Sequence, residues 1–126
     1  MGKVLVADDS RPMRTTLRLL LEASSGVEVL EAADGIEALR VLEDGPVDLL
    51  ICDLEMPKLD GRKLIKILGD RAKSPDVIVI SGTARVEPSQ SGASLAAPVV
   101  GWLEKPFDTD ELLALVDSRI AAQTAS

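Results

Sequence analysis

Three acids, one hydroxyl and one amine stand where short apolar runs of the sequence end. Asp8 and Asp9 follow Val4-Leu5-Val6-Ala7, and Asp53 follows Leu49-Leu50-Ile51-Cys52. Ser81 follows Val77 to Ile80, and Lys105 comes shortly after Val99 to Leu103. Singly, each has an ordinary reading: Asp9 or Ser10 as a helix cap, Ser81-Gly82 as a turn, Lys105-Pro106 as a solvated loop. Together they could form a site, provided that the runs are strands of one sheet and their ends share one edge. Crowded carboxylates repel and raise one another's pKa unless a cation joins them. Magnesium suits such a group, because it prefers oxygen ligands, keeps several waters and needs few protein carboxylates. An aspartate held in that setting is a candidate nucleophile.

The intervening sequence supplies the helices that such a sheet requires. Pro12 sits where a first helical turn tolerates it, and Met13, Leu17, Leu20 and Leu21 follow at helical spacing. Ser24-Ser25-Gly26 ends that segment, and Val27 to Glu31 reads as a second strand. Asp34-Gly35-Ile36-Glu37 resembles a capping box for a helix carrying Ile36, Leu39 and Leu42, stopped by Gly45-Pro46. Asp48 to Cys52 is the expected third strand, and Gly61 to about Asp70 the third helix, with Leu64, Ile65 and Leu68 on one face. Val77 to Ile80 and Val99 to Leu103 are the fourth and fifth strands. A last helix starts near Asp108 with Leu112, Leu115, Val116 and Ile120 inward, and residues 123–126 form a short polar tail. Continuous apolar runs of this kind suit parallel strands covered on both faces. Strands alternating with helices predict an α/β domain with right-handed crossovers, whose sites form beyond the carboxyl ends of the strands.

Composition narrows the chemistry. A chain of 126 residues fits one domain able to bury a core. No apolar run approaches the roughly 18 residues that cross a bilayer. Val4 to Ala7 is too short for a signal peptide core, and Val6 stands where a myristoylation signal takes Ser or Thr. The net charge of −7 opposes direct binding of nucleic acid. The single cysteine, Cys52, excludes an internal disulfide and fits a reducing cytoplasm. The lack of histidine removes Ser-His-Asp and Cys-His catalysis, His-ligated zinc and any phosphohistidine on this chain. Carboxylates, hydroxyls, lysine and a hard metal remain.

"VLVADDS", "ICDLEMPKLDG", "VIVISG" and "GWLEKPF", in this order, resemble the response-regulator receiver domain of two-component signalling. The resemblance covers essentially the whole chain and implies a receiver domain over residues 1–122. It implies a flavodoxin-like (βα)5 fold whose five-stranded parallel sheet has the order 2-1-3-4-5. It also implies that Asp53 is the phosphoacceptor, and that Asp8, Asp9, Asp53 and the Glu55 backbone carbonyl bind Mg2+. Ser81 and Lys105 would grip the phosphoryl oxygens. Ser81 and Trp102 would form the switch pair, with Trp102 in place of the usual Tyr or Phe. The donor histidine would belong to a sensor histidine kinase or phosphotransfer protein. The implied function is that of a stand-alone module whose phosphorylation switches contacts with a downstream protein, or with a second copy. Its only catalysis would be Mg-dependent self-phosphorylation and autodephosphorylation.

Several residues keep a plainer reading beside this one. Met56-Pro57 and Asp60-Gly61 suit turn and cap chemistry, Cys52 a small buried strand residue, and Trp102 simple packing. The Glu55 side chain, bordering the site, could join a metal shell or repel phosphate. Between Gly82 and Gly101, Pro88, Gly92 and Pro98 disfavour a regular fourth helix. This departure supports an alternative, a receiver-fold module that docks a partner through that segment without phosphate. A flavin carrier is disfavoured, because the chain has no Tyr and one Phe to sandwich a flavin. An Asp-x-Asp phosphatase lacks its second aspartate, since Glu55 occupies that spacing.

Overall fold

Leu49–Asp53 (β3) is buried at every position, as a strand with neighbours on both sides and helices on both faces must be. The computed structural model describes residues 2–56, 58, 61–69, 75–82 and 99–124. The remaining strands are Lys3–Ala7 (β1), Glu28–Ala32 (β2), Asp76–Ser81 (β4) and Val99–Glu104 (β5). Among the described residues the helices are Arg11–Ser25 (α1), Gly35–Asp44 (α2), Gly61–Gly69 (α3) and Thr109–Thr124 (α4). All neighbouring strands pair in parallel, in the order β2-β1-β3-β4-β5 that the family resemblance implies.

The strands run further toward the site than hydrophobicity predicts. Asp53 pairs with Ile80, and Ser81 with Glu104, so each of these polar residues closes its strand instead of following it. Ladder bonds use the backbone, which is indifferent to side-chain polarity. For the same reason β2 begins at Glu28 and includes Ala32. Asp48 precedes β3 and is tied to Lys3 through both its backbone and its carboxylate.

Ser10 is the cap that starts α1, its hydroxyl accepting from the Met13 amide at 3.3 Å. Gly26 ends the helix in the left-handed region at φ 65°, where a side chain would be strained. Asp34 caps α2 by accepting from the Glu37 amide at 2.8 Å, and Glu37 reaches back to the Ala33 amide. Ile36 corrects the predicted face of α2: it is 40% exposed, and Gly35 and Ala38 are the buried residues instead. Leu39 and Leu42 do pack inward. On α3, Leu64, Ile65 and Leu68 are buried as predicted, and the described helix stops at Gly69. In α4, Leu112 and Val116 are buried, and Leu115 and Ile120 pack beside them. Helix α4 continues to Thr124, so the tail does not begin at residue 123. The irregular segment predicted after Gly82 falls mainly on residues 83–98, outside the described residues.

The sheet separates two cores. One face packs Leu5, Leu50 and Val79 against Ala38, Leu64 and Leu68 of α2 and α3. The other packs Val6, Ile51 and Ile80 against Leu17, Leu21, Leu112 and Val116 of α1 and α4. In β5 the register shifts: Val77 pairs with Val99, but Ile78 pairs with Gly101. Beyond that shift, Trp102 lies opposite Val79 and packs with the α2–α3 core.

Candidate functional site

In the order β2-β1-β3-β4 the connection after β1 runs to one side of the sheet and the connection after β3 to the other. At such a reversal the loops after β1 and β3 part and leave a crevice at their carboxyl ends. Asp8 continues from β1, with its amide donating to the Ala32 carbonyl at 3.0 Å. Asp53 closes β3. The Lys105 amide donates to the Ser81 carbonyl at 2.7 Å, which ties the chain after β5 to the end of β4.

The side chains then converge. Lys105 Nζ lies 3.1 Å from Asp53 Oδ2 and 3.3 Å from Asp8 Oδ2. The second oxygen of each acid is held by a backbone amide, Ser10 N at 2.8 Å from Asp8 Oδ1 and Glu55 N at 2.9 Å from Asp53 Oδ1. Asp8 and Asp53 are 2% and 4% exposed. Asp9 is exposed, yet carboxylate oxygens of Asp8, Asp9 and Asp53 lie within 4.8 Å of one another. Ser81 is buried at the same edge. Trp102 is set back in the sheet, half-buried, with its indole nitrogen buried and lacking a hydrogen-bond partner among the described residues.

Three carboxylates against one ammonium leave two negative charges uncompensated in the cluster. A hard divalent cation with oxygen ligands fits that charge and that donor set. Burial pushes the Asp8 carboxyl above its ordinary 3.8, and the Asp53 charge adds to the rise, against the pull of the Ser10 amide and Lys105. Burial alone would lower Lys105, but its hydrogen bond to Asp53 and the charges of both acids hold it above 10.5. Lys105 is therefore an ammonium at neutral pH.

Two residues near the site were not singled out from the sequence. Arg14 donates to the Asp8 carbonyl at 2.7 Å and pairs with Glu31 at 3.3 Å, bracing the loop that presents the two acids. A basic residue one turn into the helix after the acids was the only clue. Lys58, at φ 67°, pairs with Asp34 at 3.6 Å and links the loop after β3 to the start of α2.

A family model described as "Response regulator receiver domain" matches residues 4–117. The chain belongs to the response-regulator receiver family. Over 112 residues it is 38% identical to the response regulator MprA of Mycobacterium ulcerans, covering 89% of this chain and 47% of that one. It thus spans about half the length of the curated relatives it matches. Among solved structures, it is similar to the receiver domain of the Francisella response regulator 1452. That match has a TM-score of 0.86 and 32% identity, over 98% of this chain and 99% of the other. The chemotaxis response regulator CheY4 of Vibrio cholerae matches with a TM-score of 0.81 and 32% identity, over 94% and 98% of the two chains. No described helix of this receiver domain is long and apolar enough to cross a membrane.

For this receiver domain the raised Asp8 carboxyl fixes the sign of a pH effect. The folded state holds the proton more tightly than the unfolded one, so this contribution to stability is complete below 3.8. It is lost as pH rises through the folded value. Asp8→Asn mimics the protonated acid and is expected to raise the unfolding temperature at neutral pH by a few degrees. The same change is expected to weaken magnesium binding at least tenfold by calorimetry. A variant less stable than wild type at neutral pH would contradict the first expectation.

Proposed function

We infer that this receiver domain accepts a phosphoryl group on Asp53 from the phosphohistidine of a sensor kinase or phosphotransfer protein, and that the modification switches its protein contacts. The observation that carries this reading is the Asp53 carboxylate, fixed between the Glu55 amide and Lys105 at the crevice. An Asp53 oxygen attacks phosphorus in line as the P–N bond breaks, and the electron pair of that bond stays on the donor imidazole. This domain contains no histidine, so the donor lies outside it. Asp8, Asp9, Asp53 and the Glu55 carbonyl would hold Mg2+. When bound, the ion supplies positive charge that neutralises the cluster and the developing phosphoryl charge. Lys105 would stabilise the equatorial oxygens, and Ser81, at the end of β4, would donate its hydroxyl to one of them. In this reading the domain acts on no separate substrate: the reaction modifies the domain itself and autodephosphorylation resets it.

Phosphorylation adds up to about two negative charges and three acceptor oxygens at one edge of the sheet. Trp102 supports a change of setting as the readout, because a buried N–H without a partner among the described residues costs about 1–3 kcal/mol, which an outward turn to water would relieve. The test is acetyl phosphate with magnesium, followed by mass spectrometry and by emission from the only tryptophan. Expected are one added phosphoryl group, mapped to Asp53 and dependent on the divalent ion, and a change in emission. A label on another residue, or none, sinks the reading; a label on Asp53 with unaltered emission removes only the Trp102 switch.

A further inference from the structure

Gly61 opens α3 and is buried against the end of β3, its amide donating to the Leu54 carbonyl at 3.0 Å. Its backbone does not need glycine, because Gly26 is the only described glycine in the left-handed region. Space needs it. A Cβ on residue 61 would stand 2.5 Å from the Asp53 carbonyl oxygen and 2.7 Å from Leu54 Cα. That is about 1 Å inside ordinary contact, and both obstacles are backbone, which has no rotamer to yield.

The crowded atoms belong to the peptide that sets the Asp53 carboxylate. Asp53 Oδ1 is held by the amide of Glu55, in the next peptide after the Asp53 carbonyl, and Asp53 Oδ2 meets Lys105 at 3.1 Å. A shift of Leu54 relative to β3 would carry the Glu55 amide with it and turn the carboxylate off Lys105. We propose that Gly61 is a positioning residue for phosphoryl acceptance, its missing side chain letting α3 press the Asp53–Glu55 backbone into the reactive alignment. The proposal rests on the reading of Asp53 as phosphoacceptor. A misplacement of about 1 Å costs reacting groups on the order of a hundredfold in rate.

The experiment compares Gly61→Ala with two controls. Gly45→Ala adds the same methyl where no described residue lies within 4 Å and the backbone is extended, so it reports any general effect of replacing glycine. Leu64→Ala, one turn along α3 and buried, loosens the helix while residue 61 stays glycine. Rates of labelling by acetyl phosphate are measured below every unfolding transition, together with the amide resonance of Glu55. The expected result is labelling slowed about a hundredfold in Gly61→Ala, with the Glu55 resonance displaced. Gly45→Ala should match wild type in both, and Leu64→Ala should keep the wild-type Glu55 resonance. Normal labelling of Gly61→Ala, or an equal slowing and displacement in Leu64→Ala, overturns the proposal. So does failure of Gly61→Ala to fold where Leu64→Ala folds, since the glycine would then serve the fold itself. If wild type took no label, the phosphoacceptor reading would fail and take this one with it.

Discussion

Asp53→Asn is expected to abolish phosphoryl uptake while leaving a folded domain. The amide keeps an oxygen that can accept from Glu55 N, and its shape matches the carboxylate, so the end of β3 need not move. What disappears is the nucleophile: a neutral amide oxygen does not form a stable ester with phosphorus. The neighbours do not replace it. Asp8 is buried, with its oxygens engaged by Ser10 and Lys105, and Asp9 faces solvent at the rim. Labelling at least about a thousandfold below wild type is therefore expected, the scale seen when a covalent nucleophile is removed. Magnesium should still bind, more weakly, because two of the three clustered carboxylates remain. Undiminished labelling of the folded variant would refute the assignment of Asp53.

Lys105→Met should damage both chemistry and stability, through the same lost charge. Methionine matches the length of the lysine stem, so the packing loss is small. The ammonium that bridges Asp8 and Asp53 is gone, and two nearly buried carboxylates then face each other. Removing one member of a buried charged group costs about 3–5 kcal/mol. Lys105 is a quarter exposed, and solvent screening brings the expected loss to about 1–3 kcal/mol at neutral pH. In wild type, the raised Lys105 contributes its full stability below 10.5 and loses it only as pH climbs through the folded value. In the variant the deficit should shrink with acid, because Asp8 loses a partner that held its carboxyl down. Its proton uptake then relieves the repulsion from a higher pH toward 3.8. Magnesium should stabilise the variant more than wild type. The labelling rate should fall about a hundredfold to a thousandfold, the usual effect of deleting one charge-stabilising donor. Unfolding curves across pH, with and without the ion, measure the first effects; a variant as stable as wild type at neutral pH would contradict them.

The apolar runs made all five strands legible, because parallel strands covered on both faces leave little room for polar residues. Their ends were less legible, as Asp53 and Ser81 illustrate: each pairs in the ladder that its side chain seemed to terminate. Ile36 misled in the other direction, since an apolar residue in the first turn of α2 can lie outside the contact face. The strand order came from resemblance and not from periodicity, which says nothing about neighbours. The five chemical residues were visible by type and by place along the chain. The bridge of Lys105 to acids 97 and 52 positions away was not, because only the closed sheet brings them together. Gly61 gave no sign of its closeness to Asp53 beyond the Asp-Gly pair, which also suits a simple turn.

The register shift in β5 has a consequence for anyone who would transplant this strand. Counting alternate positions from Val99 would send Trp102 toward α1 and α4; the skipped pairing at Val100 sends it to the opposite side. A donor segment with identical letters but uninterrupted alternation would therefore present its indole inside out. Homology grafts and chimeras at this edge have to conserve parity before they conserve identity.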